Sequence, residues 1–137
     1  MHAVLDVNVI VSALLSSGGT PALLIRAWRG GSFDLLISLL LLSELRRALS
    51  YPKLQARIAL ASSEEFLDGL NRFATVLADP ASPPRVRSAD PHDDYLIALA
   101  EAGNAFLVSG DNHLLSLAPR LPIRTPAEFL ALLDARG

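Results

Sequence analysis

The sequence of 137 residues contains no cysteine. This absence excludes disulfide scaffolds, thiolate zinc sites and cysteine nucleophiles, and it agrees with a reducing compartment. Basic charge is also scarce, because twelve Lys and Arg residues stand against fourteen Asp and Glu residues and leave a net charge of −2. The chain has no overall positive field to hold nucleic acid, so any nucleic-acid site must be local.

Long hydrophobic runs are missing as well. The most apolar stretch, residues 35–45, contains two serines and Glu44 and is too short to cross about 30 Å of hydrocarbon. The N-terminus has neither the basic start nor the small-residue cleavage site of a signal peptide, and Asp6 comes too early for one. We therefore expect a cytoplasmic protein without a membrane segment, folded as a single domain over residues 1–137.

Hydrophobic side chains make up 51% of the sequence, and they occur in short runs separated by helical patterns. Five such runs predict strands, at residues 3–5, 33–37, 73–77, 105–108 and 121–124. Because the runs are largely apolar and helices separate them, the sequence predicts an α/β fold. The expected architecture is a three-layer α/β/α sandwich with a central, mostly parallel sheet of four to five strands.

Capping residues mark the expected helix boundaries. Three helix starts combine a capping residue with a proline: Thr20-Pro21, Asp90-Pro91 and Thr125-Pro126. Ser38 is predicted to cap a further helix, and Ser62 with Glu65 forms a capping-box pattern for another. Gly103 stands where a left-handed residue commonly ends a helix. The proline-rich residues 79–90 are predicted to form a long loop.

Acidic residues gather near the predicted carboxyl ends of the strands. Asp6 and Asp111 follow two of the strands, Asp93 and Asp94 begin a helix, and Glu44 lies on a helix face. Ligands of an open parallel sheet bind beyond this edge. Because clustered carboxylates repel one another, the pattern favours a cation bound by oxygen ligands, which suits Mg²⁺ or Mn²⁺. Such an ion supports phosphodiester hydrolysis, since it stabilises charge on the phosphate and lowers the pKa of bound water.

Four segments carry a family resemblance: LDVNV at 5–9, SEL at 43–45, DDYLIALA at 93–100 and VSGD at 108–111. In order and spacing they resemble the acidic motifs of PIN-domain ribonucleases, and the likeness spans nearly the whole chain. The sequence also resembles the bacterial and archaeal PIN proteins of the VapC toxin type, whose ending is similar to IRTPAEFL at 123–130.

The resemblance implies an endoribonuclease that uses Mg²⁺ or Mn²⁺ to cleave single-stranded RNA. It implies an acidic quartet that binds metal and supports catalysis: Asp6, Glu44, Asp94 and Asp111. Asp93 is a further candidate ligand, and Asn8 and Ser109 are implied to hold the carboxylates by hydrogen bonds. The resemblance also implies the toxin of a type II toxin–antitoxin pair, with a small antitoxin as partner and a homodimeric state.

Two other functions stay open at this point. The first is a catalytically silent PIN-like module that binds RNA or protein, although the presence of all four acids argues against it. The second is a phosphatase-like metal hydrolase. Haloacid-dehalogenase-like phosphatases carry a second Asp two residues after the first, where this chain has Asn8, and need a lysine near the later acids. Lys53, the only lysine, is far from them in sequence.

Some of these residues also have purely structural interpretations. Asp93 suits the positive end of a helix dipole, and we prefer that explanation for it over metal binding. Glu44 could pair with Arg47 three residues on. His113 is expected to be solvated, and Arg85 and Arg87 need not contact RNA. Three aromatic residues are expected in the core rather than stacked on bases: Trp28, Phe33 and Phe129.

Overall fold

The computed structural model describes residues 1–136, which contain one central sheet of five parallel strands. The strands are His2–Leu5 (β1), Asp34–Ile37 (β2), Thr75–Val76 (β3), Phe106–Val108 (β4) and Ile123–Arg124 (β5). Their order across the sheet is β3-β2-β1-β4-β5. The chain order reverses between β1 and β4, so the crevice expected at such a switch point opens beside the carboxyl ends of these two strands.

Helices connect the strands and cover the sheet. Within residues 1–136 they are Val7–Leu15 (α1), Thr20–Arg29 (α2), Leu39–Leu49 (α3), Pro52–Gln55 (α4), Leu60–Phe73 (α5), Asp94–Ala102 (α6), Asn112–Leu115 (α7) and Pro126–Arg136 (α8). No single helix of this described part is long and apolar enough to cross a membrane. By length and composition alone, α1 and α2 would suffice only as a pair, and they meet at an angle of 98°.

Both faces of the sheet are buried. Ala3, Val4 and Leu5 follow one another in β1, and all three are fully buried. Because successive side chains of a strand point to opposite faces, helices must pack on both sides. Helix α6 contacts β1, β2 and β4, whereas α1 contacts α2 and α3, and α2 contacts α8. The predicted three-layer α/β fold is confirmed.

The aromatic residues that the sequence placed in the core are buried there. Phe129 is fully buried, and its ring meets that of Phe33 edge to face, with 5.2 Å between the ring centroids. Trp28 is buried on α2. These large side chains join α2, α8 and the start of β2 at the end of the sheet opposite the acidic residues. Their burial stabilises the fold, and none of the three lines the cleft that contains Asp6.

Three local predictions are wrong, and the first is the cap at Thr20, because α2 begins at that residue after Gly19 and has no side-chain cap. The capping box at Ser62 does not form, because α5 already begins at Leu60, after an extended residue at Ala59. Ile58, just before this start, is buried, and burial of this side chain outweighs the weaker capping preference. Gly103 has a φ of −91°, and the left-handed residue is its neighbour Asn104, with a φ of 48°.

Gly103 is required for space rather than for its backbone angles. A Cβ atom there would overlap Cδ1 of Leu36 and would lie 3.1 Å from Cδ1 of Leu77. The end of α6 therefore packs directly on the sheet. Helix α5 runs on through Phe73, which shortens the predicted strand 73–77 to Thr75–Val76.

Candidate active site

A cleft of about 220 Å³ opens at the carboxyl end of β1. Asp6, Val7 and Asn8 line its base, where β1 passes into α1. One wall comes from α3 and the segment after it, and it consists of Glu44, Arg47, Ala48 and Tyr51. The other wall comes from the start of α6 and the turn before it, and it consists of His92, Asp93, Tyr95 and Leu96. Pockets that enclose a whole small ligand usually exceed about 300 Å³, so this cleft suits part of a larger substrate.

Asp6 is the buried acid at the base of the cleft, with 6% of its surface exposed. Its Oδ1 accepts the main-chain N–H of Asn8 at 3.3 Å, and its Oδ2 accepts the hydroxyl of Ser109 at 2.7 Å. Burial raises the pKa of Asp6, the bonds from Ser109 and Asn8 oppose that rise, and the charge of Asp111 adds to it. The carboxylate is thus fixed in orientation and costly to leave charged without a cation.

Asn8 and Ser109 both donate hydrogen bonds to Asp6, as predicted, but they use different groups. Ser109 holds Asp6 with its side chain, whereas Asn8 does so with its main chain. The Asn8 side chain is exposed at the cleft. The hydrogen bond to Asp6 therefore does not depend on the identity of residue 8.

Asp111 is tied to Asp6 through the same serine. The main-chain N–H of Asp111 donates to Oγ of Ser109 at 3.0 Å, while that hydroxyl donates to Asp6. Asp111 also caps α7, because its Oδ1 accepts the main-chain N–H of His113 at 2.8 Å. Its side chain lines a neighbouring depression of about 350 Å³, which shares Asn8 with the cleft.

Glu44 lies on the α3 wall and forms an ion pair with Arg47. The distance between Oε2 of Glu44 and Nη2 of Arg47 is 2.7 Å, which is the i,i+3 pair that the sequence suggested. Both side chains are partly exposed, and such pairs contribute little to stability. Glu44 is therefore free to exchange this partner for another cation in the cleft.

Helix α3 is held in place by two caps at its N-terminus. Oγ of Ser38 accepts the main-chain N–H of Leu41 at 3.2 Å, as predicted for a capping serine. Asp79, which follows β3, accepts the main-chain N–H of Leu40 at 3.0 Å through Oδ2. These bonds fix the start of the helix that carries Glu44.

Asp93 ends a 3₁₀ turn, Pro91–Asp93, and lines the cleft. Its Oδ2 is buried and has no hydrogen-bond partner among residues 1–136. Burial raises the pKa of Asp93 to about 6, with further contributions from the charges of Asp6, Asp111 and Asp90, while His113 lowers it. Asp93 is therefore an acid whose charge interacts with those of three others.

Asp94 is directed elsewhere, although the motif favours it. Its Oδ1 accepts the main-chain N–H of Ser88 at 2.8 Å, and its Oδ2 lies 3.7 Å from Nη1 of Arg87. It lines a second depression, beside the prolines of the 79–90 loop, and not the cleft that contains Asp6. Successive residues of a helix point about 100° apart, so the two neighbouring acids face different surroundings.

Sequence reasoning missed the aromatic lining of the cleft. Both tyrosines of the chain, Tyr51 and Tyr95, lie there. Burial and then the charges of nearby acids raise the pKa of Tyr95, so its hydroxyl stays protonated. The spacing of Tyr51 from Glu44 is i,i+7, with Arg47 between them at i+3. The helical part of this spacing, from Glu44 to Arg47, is a signal for the wall, whereas Tyr51 follows the end of α3.

The cleft suits a divalent ion in its chemistry, although its side chains are not arranged around one. Among residues 1–136, no three His, Asp or Glu side chains are positioned to hold one metal ion together. The carboxylates of Asp6, Glu44 and Asp93 nevertheless line one cleft, and the unpartnered Oδ2 of Asp93 is buried there. A set of oxygen donors with one buried and unsatisfied atom fits Mg²⁺ or Mn²⁺.

Comparisons with known proteins agree with this architecture. A family model described as PIN domain matches residues 2–113. No curated protein matches the sequence. The fold is similar to that of PAE2754 from Pyrobaculum aerophilum, known from a crystal structure, with a TM-score of 0.66 and 22% sequence identity. That similarity covers 98% of this chain and 90% of the other, and it establishes a shared fold.

Proposed function

The chain belongs to the PIN-domain family, and on this basis we propose that it is an endoribonuclease that uses Mg²⁺ or Mn²⁺ to cleave single-stranded RNA. PIN domains are generally nucleases, and they typically use divalent metals. The observation that carries the proposal is the position of Asp6. It is a buried carboxylate at the switch point of the sheet, and it shares one cleft with Glu44 and the unpartnered oxygen of Asp93.

Four acids are proposed to hold the ion, directly or through water: Asp6, Glu44, Asp93 and Asp111. Asp93 takes the place that the motif suggests for Asp94, because Asp94 is engaged by Ser88 and Arg87. A bound divalent ion supplies positive charge for the phosphate oxygens and a water of lowered pKa.

The other residues of the site position these acids. Ser109 and the main chain of Asn8 keep both oxygens of Asp6 oriented. Arg47 neutralises Glu44 when the cleft is empty, and its exposed guanidinium is available to a phosphate when Glu44 binds a cation. His113 has no general-base role in this mechanism.

The experiment is cleavage of a labelled single-stranded RNA with Mn²⁺, with Mg²⁺ or with a chelator. Asp6→Asn should reduce cleavage by at least about 100-fold, more than the loss of an outer hydrogen bond to a metal ligand costs. Asp34→Asn is the matched control. Asp34 is exposed and is the first residue of β2, so it lies at the amino ends of the strands, away from the cleft. Activity that survives chelation, or equal cleavage by Asp6→Asn, would contradict the proposal. A folded protein that binds RNA without cleaving it would be the silent module.

We further propose that the protein is the toxin of a type II toxin–antitoxin pair, acting in the cytoplasm as a homodimer with a small antitoxin as partner. The motif resemblance to VapC-type proteins and the small size of the domain support this role. Expression of the wild type in bacteria should arrest growth, whereas Asp6→Asn should not. Light scattering tests the dimer, and a small open reading frame beside the gene supplies the candidate antitoxin for a rescue experiment. Normal growth with the active wild type would contradict the toxin role and leave the nuclease proposal standing.

A further inference from the structure

Tyr51 is an exposed aromatic side chain on the wall of the acidic cleft. It is 53% exposed and stands between α3 and α4. The chain's single tryptophan and three of its five phenylalanines lie in the core, whereas Tyr51 and Phe73 have rings open to solvent, and only Tyr51 of these two lies in the cleft that contains Asp6. Burial in the core does not account for its position.

The surroundings of Tyr51 match what a nucleotide needs. Arg47 lies on the same wall, and its side chain is 65% exposed. A guanidinium beside an aromatic ring, next to a cluster of metal-binding acids, offers one contact for a phosphate and one for a base. The cleft measures only about 220 Å³, which is too small to enclose a free nucleotide.

Two shallow depressions adjoin the cleft. It shares Tyr95 with the depression beside residues 80–84 and shares Asn8 with the depression that contains Asp111. Those two depressions measure about 270 and 350 Å³. Three adjoining depressions, each with at least one acidic residue, fit an extended polymer that crosses the site.

We propose that Tyr51 stacks on an unpaired base of the substrate, adjacent to the phosphate that faces the acids. This proposal rests on the proposed nuclease function and assigns its selectivity for single strands to one side chain. In a duplex both faces of a base are covered by its neighbours, whereas a base in a single strand can stack on the ring. Because every base has a π-face, this contact favours single strands but does not select among base sequences.

The test is the binding of a fluorescent single-stranded RNA to the Asp6→Asn protein, with and without a second change at residue 51. Tyr51→Ala should weaken binding roughly 5- to 150-fold, the range for the loss of one stacked base. Tyr51→Phe keeps the ring and should bind within about twofold of the parent. In the otherwise wild-type protein, Tyr51→Ala should raise KM more than it lowers kcat.

Phe73→Ala is the matched control, since Phe73 is an aromatic residue 73% exposed outside the cleft. It should leave binding unchanged, and circular dichroism should show that each variant is folded. An RNA with one abasic position provides a second measurement. At one position along the strand, removal of the base should weaken the Tyr51 parent but not the Tyr51→Ala protein.

The outcomes separate the two proposals. Equal binding by Tyr51→Ala and the parent, or an equal loss with Phe73→Ala, overturns the stacking proposal even when the wild type cleaves RNA. Weaker binding by Tyr51→Ala alone, in a protein that never cleaves, supports stacking and contradicts the nuclease function. No binding of single-stranded RNA by the parent overturns the stacking proposal, whereas the nuclease proposal is decided by cleavage with the wild type.

Discussion

In the cleft, Asp6 at the base and Asp93 on one wall are carboxyl groups whose charge water cannot fully stabilise. Asp6 has hydrogen-bond donors on both oxygens, whereas Oδ2 of Asp93 has none among the described residues. A buried carboxylate without donors favours its protonated form until a cation is present. The two acids therefore make proton binding and metal binding compete at one site.

Asp93 should make the metal-free protein less stable as pH rises. Its pKa is raised from 3.8 in the unfolded chain to about 6 in the folded protein. The folded state therefore holds this proton more tightly, and the stabilisation is complete below about pH 4 and lost as pH rises through about 6. With a chelator present, the free energy of unfolding of the wild type should fall across this interval. Asp93→Asn should flatten the profile, measured by urea denaturation at each pH.

Divalent ions should reverse the loss of stability at higher pH, because they bind the charged carboxylate of Asp93. With Mn²⁺ the wild type should gain thermal stability at about pH 7.5 and lose that gain at about pH 5. Asp34→Asn, at the amino ends of the strands, should keep both behaviours of the wild type. Identical pH profiles for wild type and Asp93→Asn would show that Asp93 does not titrate in this way.

Among the elements, the 79–90 loop depends on Asp94 for its attachment to α6. Ser88 and Pro84 are buried, and Asp94 accepts the Ser88 N–H beside Arg87. Asp94→Ala should cost about 1–2 kcal/mol, the range for a hydrogen bond to a charged group at a partly exposed site. It should also speed tryptic cleavage in the loop, which contains two arginines.

A more conservative change distinguishes this loop attachment from metal binding. Asp94→Asn keeps an oxygen for the Ser88 N–H and should retain most cleavage activity, whereas Asp93→Asn should lose it. Glu101→Ala, on the exposed end of the same helix, is the control for stability. If Asp94→Asn loses activity and metal response while Asp93→Asn keeps both, the assignment of these two acids must be exchanged.

This pair of residues also shows what the sequence could and could not predict. The strand runs and the order of the acids predicted the sheet and brought Asp6, Glu44 and Asp111 to the same edge. The local sequence pattern does not determine which of two neighbouring residues at a helix start faces a given side. Here a 3₁₀ turn precedes α6, and Asp93 at the end of that turn lines the cleft. Tyr51 was missed because it follows the end of its helix, where periodicity gives a weaker signal.

Capping signals predicted some helix starts and not others: Ser38 caps α3 as expected, whereas Thr20 lies inside α2 and forms no cap. Thr125, predicted to cap the last helix, forms a reciprocal box with Glu128, with bonds of 2.8 and 3.1 Å. The box proposed at Ser62 failed because burial of Ile58 sets the start of α5. Local hydrogen bonds predict a boundary only when no tertiary contact overrides them.

Two glycines should respond in opposite ways to the same substitution. Gly103→Ala places a methyl group against Leu36 and Leu77 and should destabilise the protein by about 1–3 kcal/mol. At Gly69, inside α5, a methyl group would meet no atom within 4 Å, so Gly69→Ala should stabilise by about 0.5–1 kcal/mol. Chemical denaturation measures both, and a destabilised Gly69→Ala would contradict the account of α5.

At the scale of the whole molecule, RNA binding should depend only weakly on salt. The chain carries a net charge of −2, and the cations that line the cleft are Arg47 and, when protonated, His92. Each phosphate neutralised on a single strand contributes a slope of about −0.7 to a plot of log K against log salt. One or two such contacts predict a slope between about −0.7 and −1.4 for the Asp6→Asn protein.

Fluorescence anisotropy over a series of KCl concentrations measures this slope, and Arg47→Gln should make the slope shallower by about 0.7. A slope steeper than about −3 would mean that RNA binds to a basic surface outside the cleft, and aromatic stacking would then not be the main source of affinity.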